Sequence, residues 1–375
     1  MSNAPTLEQW LDPFAVRPVS PSATDGLARL MQQLIDHDLT RLPLPGQGHT
    51  LERWRTLAAV AGCDLALAKL FEGHTDALAI LAEIEPQAPP VTGSWGIWAA
   101  EPPFARVKIV GRESNQVYLQ GQKAWCSGAS LLDHALLTAW DEHQRPQLVA
   151  VNLRQPTPSC RSEPAREKPS DPTGSRVQRA TTDDHQAPPG IRINQGGWQA
   201  IGMASSASLD VHFDGAQARA VGAPGQYLDR PGFWHGGAGI AACWYGAACA
   251  LAGYLRQHCS KPHHDVHAAA HLGAVDAALG AAAAALRETA TWIDAHPNAC
   301  AELRVRRVRA QVEVAVSAIL EHVGRALGAT PFCRDSHFAR LAADLPVYVR
   351  QSHAEKDLAE LGKQVAALSD REWQL

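Results

Sequence analysis

The hydrophobic period of this chain changes twice, and that constrains its fold more than any other feature. Up to about residue 85 the apolar residues recur at helical spacing. Leu27 to Leu34 forms one such segment. Leu51 to Ile84 gives one or two more, with Leu57, Val60, Leu65, Leu67, Leu70, Leu78, Ile80 and Leu81 on the apolar faces. Gly73-His-Thr-Asp76 interrupts that run, and Thr75 or Asp76 reads as the cap of a new helix. The helical period stops at Glu85-Pro-Gln-Ala-Pro-Pro90. Short alternating stretches follow: Gly93 to Ala99, Ala105 to Val110, Val117 to Leu119, Ala135 to Trp140, Gln147 to Leu153, Ile191 to Asn194 and Leu209 to Phe213. Strands at this spacing, with turn residues between them, build a small barrel or sandwich. After about Gly222 the helical period returns in Pro231 to His258, His263 to Asp294, Ala301 to Leu327, and Ser336 to Leu368 with a break near Pro346. One apolar face on each predicts a four-helix bundle. The fold class is therefore α+β, in three parts: a helical domain over 1–90, a β domain over 91–222 and a bundle over 223–375.

Pro156 to about Pro189 fits none of these periods. It is rich in Pro, Ser and charge and nearly empty of large apolar residues. Such a stretch buries too little surface to offset its ordering entropy, so it reads as a disordered insertion between two strands that excision would leave as a short hairpin. With a formal net charge of -4, the chain has no general attraction to nucleic acid or acidic membranes. No apolar run reads as membrane-spanning, and the Ala-rich stretch near Ala281 reads as a helix. The eight cysteines are scattered without a Cys-x-x-Cys pair, which suits free thiols in a reducing compartment. The N-terminus lacks the basic start and apolar core of a signal peptide. The expectation is a soluble cytoplasmic protein.

Two stretches carry a resemblance. Val117-Tyr-Leu-Gln-Gly-Gln-Lys-Ala-Trp-Cys-Ser-Gly128 reads as a strand, a Gly turn and a second short strand. Gly197 to Asp214 places Gly202, Met203, Ser205, Ser206, Phe213 and Asp214 in order, with an outgoing strand at its end. Together these resemble the middle domain of the acyl-CoA dehydrogenase superfamily. Gly121, Lys123, Trp125, Ser127 and Gly128 match its Gly-x-Lys-x-Trp-x-Ser/Thr segment. The order of helices, β domain and bundle is also that family's, so the resemblance covers nearly the whole chain.

The resemblance implies FAD between the β domain and the bundle, with Trp125, Cys126 and Ser127 beside the flavin. It implies an acyl-CoA or related acyl thioester substrate, an electron acceptor, and a homodimer or homotetramer. An arginine at the end of the first long C-terminal helix serves the FAD pyrophosphate in the family, and Arg256 matches it, although His258-Cys259 stands where the family has Phe-Gly. The family's Gln-x-x-Gly-Gly is represented only by Gly324 and Gly328. The N-terminal helical domain forms one wall of the substrate cleft, which Glu72, Gly73, His74 and Asp76 could face.

Dehydrogenation of an acyl thioester needs a base for the α-proton, while the cofactor takes the hydride. The family's base is a Glu in a Tyr-x-Gly-Thr turn shortly after an Arg-Asp pair. Arg334-Asp335 matches the pair, but the turn is replaced by Ala342-Ala-Asp-Leu-Pro346. Asp344 is the nearest carboxylate, Glu355 the second candidate and His353 the third. A monooxygenase on the same fold needs no such base and could use His353 or His337. A non-catalytic flavoprotein that has lost the base is the third reading. Three other patterns compete with helix packing. Gly237-Ala-Gly-Ile-Ala-Ala242 matches a loose dinucleotide motif but follows no strand. His263, His264, His267 and His271 lie at spacings that could hold zinc, although a polar helix start is the commoner reason, and no metal is assigned. Arg304, Arg306, Arg307 and Arg309 form a basic patch that could meet a phosphate, a solvated face or another subunit.

Overall fold

Three helices open the chain: α1 (Ala23–Asp36), α2 (Thr50–Cys63) and α3 (Leu65–Ile84). The structure is a computed structural model, and it describes Leu7, Gln9, Leu11, residues 23–154, 190–262 and 265–369, and Trp373. The break between α2 and α3 falls at Asp64, not at Gly73–Asp76 as the sequence predicts. The Asp64 carboxylate accepts a 2.8 Å hydrogen bond from Leu67 N and so satisfies one of the free amides at the start of α3. Gly73 to Asp76 run through the middle of α3, where a Cβ on Gly73 would only just touch Ile97 of the first strand.

The strands are β1 (Trp95–Trp98), β2 (Val107–Glu113), β3 (Gln116–Cys126), β4 (His134–Trp140), β5 (Pro146–Asn152), β6 (Gly190–Asn194) and β7 (Leu209–Val221). They run in the order β4-β2-β3-β7-β5, and β5 pairs back onto β4, which closes a small barrel. β1 lies parallel to β4, and β6 pairs with β7. Val107, Leu119, Val149, Val211 and Phe213 belong to the barrel's own core. The predicted Gly turn inside β3 is absent: β3 is one strand of 11 residues through Gly121. Gly121 has φ +123°, and a Cβ there would lie 2.2 Å from Arg106 O. Glycine serves here for close strand approach and an unusual backbone angle rather than for a turn. The expected hairpin of β5 and β6 also differs, because the two dock separately on β7, at Arg219–Val221 and at Asp210–Asp214. The proposed insertion lies outside the described residues.

The C-terminal helices are α4 (Gln226–Asp229), α5 (Gly232–Cys259), α6 (Val266–Ala295), α7 (Glu302–Leu327), α8 (Thr330–Arg334), α9 (Ser336–Tyr348) and α10 (Glu355–Ala366). One hydrophobic core joins Trp54, Leu65 and Phe71 of the first helices to Trp244, Val308 and Phe338 of the last. Small residues bring α2 and α5 together, since a Cβ on Gly246 would lie 2.0 Å from Ala58 O. Pro346 stays inside α9, and the helix ends after it, in a 3-10 turn at Val349–Gln351. Contrary to the sequence reading, α5 and α6 are each long and apolar enough to cross a membrane by length and composition. The apolar window of α5 is 67% buried within the protein, as befits a core helix, whereas that of α6 is only 22% buried.

Candidate functional site

The barrel rim that faces the helices is built around a bulge in β3 between Lys123 and Cys126. Lys123 has no exposed surface. Its ammonium is 2.6 Å from Glu101 Oε1, 2.7 Å from Thr138 Oγ1 and 3.0 Å from Thr138 O, so all three donors are used. Cys126 is buried too, and burial pushes its thiol far above the ordinary range. The extra residue of the bulge lets both side chains stay inside while Trp125 turns out, with φ +57°. The Trp125 indole is 52% exposed and meets Phe104, 69% exposed, edge-to-face at 6.1 Å. Large aromatic surface held outward by an unfavourable backbone angle is a feature that packing alone does not explain.

Beside this rim, the Gly202–Met203 turn docks on α9. A Cβ on Gly202 would lie 2.1 Å from Ala343 O. Met203, with φ +60°, is a hub. Its N–H donates to Asp344 Oδ1. Its carbonyl accepts from Ser206 Oγ at 2.8 Å and from Trp198 Nε1 at 3.1 Å. Because the Ser206 proton goes to a carbonyl, Ser208 Oγ must donate to Ser206 across their 2.8 Å contact. Ser127 Oγ must then donate to Ser208, also at 2.8 Å. The Ser127 hydroxyl proton is thus committed, and its oxygen presents only lone pairs to a ligand. The Ser127 carbonyl is fixed by Trp98 Nε1 at 3.0 Å.

Asp344 is 5% exposed, and its pKa is raised to about 6 by burial, against the lowering effect of the Met203 amide. Against β1, His74 of α3 accepts from Trp95 N through Nδ1 at 3.1 Å. Its Nε2 lies 3.2 Å from Thr40 Oγ1. The ring is therefore the neutral Nε2–H tautomer, and burial lowers its pKa to about 4. The opposite face of α3 is polar and turned toward other helices. Glu72 lies 3.6 Å from Lys69 with its pKa raised by burial, and Asp76 is raised by burial as well, opposed by Arg230.

The structure joins three of the sequence-selected site residues. Ser127 and Asp344 are joined by one hydrogen-bonded relay through Ser208, Ser206 and Met203, Trp125 lies two residues before Ser127, and Cys126 is buried between them. It leaves the others outside. Glu355 and His353 sit exposed at the start of α10, where His353 N donates to Asp357 at 3.0 Å. Arg256 is exposed on the last turn of α5 and lines a depression of about 520 Å³ with Tyr254 and Gln257. His337 is tied to Tyr254 OH at 2.9 Å and to Cys63 O at 3.0 Å.

The Gly237–Ala242 motif lies within α5, with no βαβ unit around it. The patch arginines are engaged within the chain. Arg304 pairs with Glu288, Arg306 with Glu302 and Asp357, and Arg309 donates to Gly237 O and Gln351 O. Sequence reasoning assigned no role to Lys123, Ser208, Glu101 or Phe104. Lys123 carried a signal, as a lysine in a strand of otherwise inward-facing apolar residues; the serines carried none, because their directionality depends on Met203 O.

No family model matches the sequence, and no curated protein is similar to it. Solved structures do match. TdsC from Paenibacillus sp. A11-2, in complex with FMN and indole, is 17% identical with a TM-score of 0.69, over 95% of this chain and 93% of that one. Methanesulfinate monooxygenase MsuC from Pseudomonas fluorescens is 16% identical with a TM-score of 0.70, over 97% of each chain. The nitrososynthase from Micromonospora carbonacea var. africana is 14% identical with a TM-score of 0.71, over 96% of this chain and 95% of that one. These neighbours share the helices, closed barrel and helices described above, and the chain accordingly has the acyl-CoA dehydrogenase fold.

Proposed function

We propose that this chain is a flavin-dependent monooxygenase. The observation that carries the reading is the state of Asp344. The carboxylate nearest the family's base position is spent on the Met203 amide, while Glu355 and His353 lie exposed on α10. Oxygen insertion needs no α-proton base, so this arrangement suits it better than dehydrogenation at a CH–CH bond. The structural neighbours whose names state a monooxygenase activity support the same choice.

A flat aromatic ring system fits the rim. Trp125 and Phe104 offer exposed aromatic surface, and Ser127 Oγ offers an acceptor for a ring N–H. When bound, a flavin supplies the redox chemistry. The chain's own contributions are binding by Trp125 and Phe104, orientation by Ser127, and a rigid rim fastened by Met203 and Asp344. FMN is the first flavin to load, given the FMN complex of TdsC. FAD is the alternative, with Arg256 as the candidate for its second phosphate.

The test is to load the purified protein with FMN or FAD, reduce it, and follow product formation from sulfur- and nitrogen-containing aromatic substrates under oxygen. Oxygen-18 in the product, unchanged in Asp344→Asn, is the expected result. Anaerobic bleaching of the oxidised flavoprotein by an acyl thioester, lost in Asp344→Asn, would overturn it. That outcome belongs to the dehydrogenase reading, which keeps one observation in its favour: a pKa of about 6 is suitable for a base working near neutral pH.

A further inference from the structure

Far from the barrel rim, α6 and α7 meet through two histidines. His271 Nδ1 lies 2.8 Å from His322 Nδ1, and the rings are 5.1 Å apart at 53°. Both rings are half-buried at the seam where Ala268, Val275, Ile319 and Val323 pack. A hydrogen bond between two such nitrogens uses one proton, so one ring must be the Nδ1–H tautomer and the other must offer its lone pair.

We propose that His271 and His322 form a two-imidazole site for a late first-row divalent ion, Cu²⁺ or Ni²⁺, which clips α6 to α7. The closeness of the two nitrogens and the ligand preference of imidazole point to these ions. Two metal–nitrogen bonds of about 2.0–2.1 Å meeting at a right angle place the nitrogens about 2.9 Å apart, whereas a tetrahedral centre needs about 3.3 Å. The 2.8 Å hydrogen-bond distance brings the two nitrogens near the right-angled spacing of Cu²⁺ or Ni²⁺, and turning both rings aims their lone pairs at one ion. Imidazole is a preferred ligand of both ions, and Cu²⁺ stands highest in the general affinity order. Binding requires the Nδ1 proton of the donor ring to move to Nε2 and both rings to turn toward a common point; neither change alters the charge of the pair. Among the described residues no third His, Cys, Asp or Glu completes a group able to hold a metal, so water fills the remaining positions. The sequence singled out His271 for its spacing from His267, but the structure gives it a partner on another helix.

Tag-free protein tests this, by equilibrium dialysis against Ni²⁺ and by the electron paramagnetic resonance spectrum of one equivalent of Cu²⁺. The expected result is one bound ion with two nitrogen ligands, and a melting temperature that rises with Ni²⁺. Both His271→Ala and His322→Ala should weaken binding by more than the roughly ten- to hundredfold that loss of an outer-shell partner costs, and abolish the thermal shift. His322→Asn keeps a polar side chain at the seam and should behave like His322→Ala if the protein remains folded. His267→Ala should leave binding intact. Loss of binding in His267→Ala with retention in His322→Ala would assign the ion to a same-helix pair and overturn the proposal. Equal binding by all the variants would overturn it as well.

Discussion

Two buried titratable side chains help fasten the barrel and its rim turn to the helices, and they differ in kind. At the α3 side, His74 accepts from Trp95 N and reaches Thr40, with its pKa lowered to about 4. At the α9 side, Asp344 accepts from Met203 N, with its pKa raised to about 6. Burial favours the neutral form in both cases. For the histidine that form is the one present at neutral pH, so the contact is electrically silent. For the aspartate, neutral pH imposes the charged form in a place that disfavours it. The inert fastening holds β1, and the titrating one holds the turn whose carbonyl orders the serines beside Trp125. The barrel therefore has a fixed contact and a responsive contact, and the serine relay of the candidate site hangs on the responsive one.

The strongest way to break this comparison is steric. Gly202→Val places a branched side chain against Ala343 O and should cost about 3 kcal/mol in urea unfolding, by separating the turn from α9. The same variant should lose flavin binding, since the serine relay depends on Met203. Next in size is His74→Ala, which leaves Trp95 N without its acceptor inside the protein and should cost about 2 kcal/mol at pH 8. That deficit should shrink as the pH falls. The lowered histidine pKa contributes stability that is present above its ordinary value of 6.5 and lost as pH falls toward about 4.

Asp344→Asn probes the opposite sign. The raised carboxyl pKa contributes stability that is full below the ordinary carboxylate value and lost as pH rises through about 6. The asparagine keeps an acceptor for Met203 N and has no charge to desolvate. Relative to the wild type, Asp344→Asn should therefore gain on the order of 1 kcal/mol between pH 4 and 8, read from melting or urea midpoints at each pH. A difference that stays flat with pH would remove Asp344 as the responsive contact. The smallest effect on stability belongs to Trp125→Ala, within about 0.5 kcal/mol because the indole is half-exposed. If flavin sits on this rim, that variant should nonetheless lose most flavin affinity in a fluorescence titration.

Much of the architecture was legible in the sequence. The period switches near Pro86 and Gly222 marked where helices give way to the barrel and return. Gly121, Trp125 and Ser127 stand in a motif that the sequence alone displays. The errors have local causes. The break at Gly73–Asp76 was misplaced because a glycine inside a helix reads like a boundary, while Asp64, with a carboxylate able to cap α3, is the true one. Gly121 read as a turn because the nearness of Arg106 O cannot be seen along the chain. The site was legible only in outline. Asp344 could be named as the surviving carboxylate, but not as the acceptor for an amide 141 residues away.

The sequence by itself determined the helices, the strands and the exposed or buried character of most of their faces, because those follow from side chains a few positions apart. Only the tertiary structure decided which polar groups are spent and which are free. The Ser127 proton is committed because Ser206 reaches a carbonyl, and His271 meets His322 because two helices cross there. Hydrogen-bond direction and histidine pairing depend on separations of tenths of an ångström between distant segments, and no period along the chain encodes them.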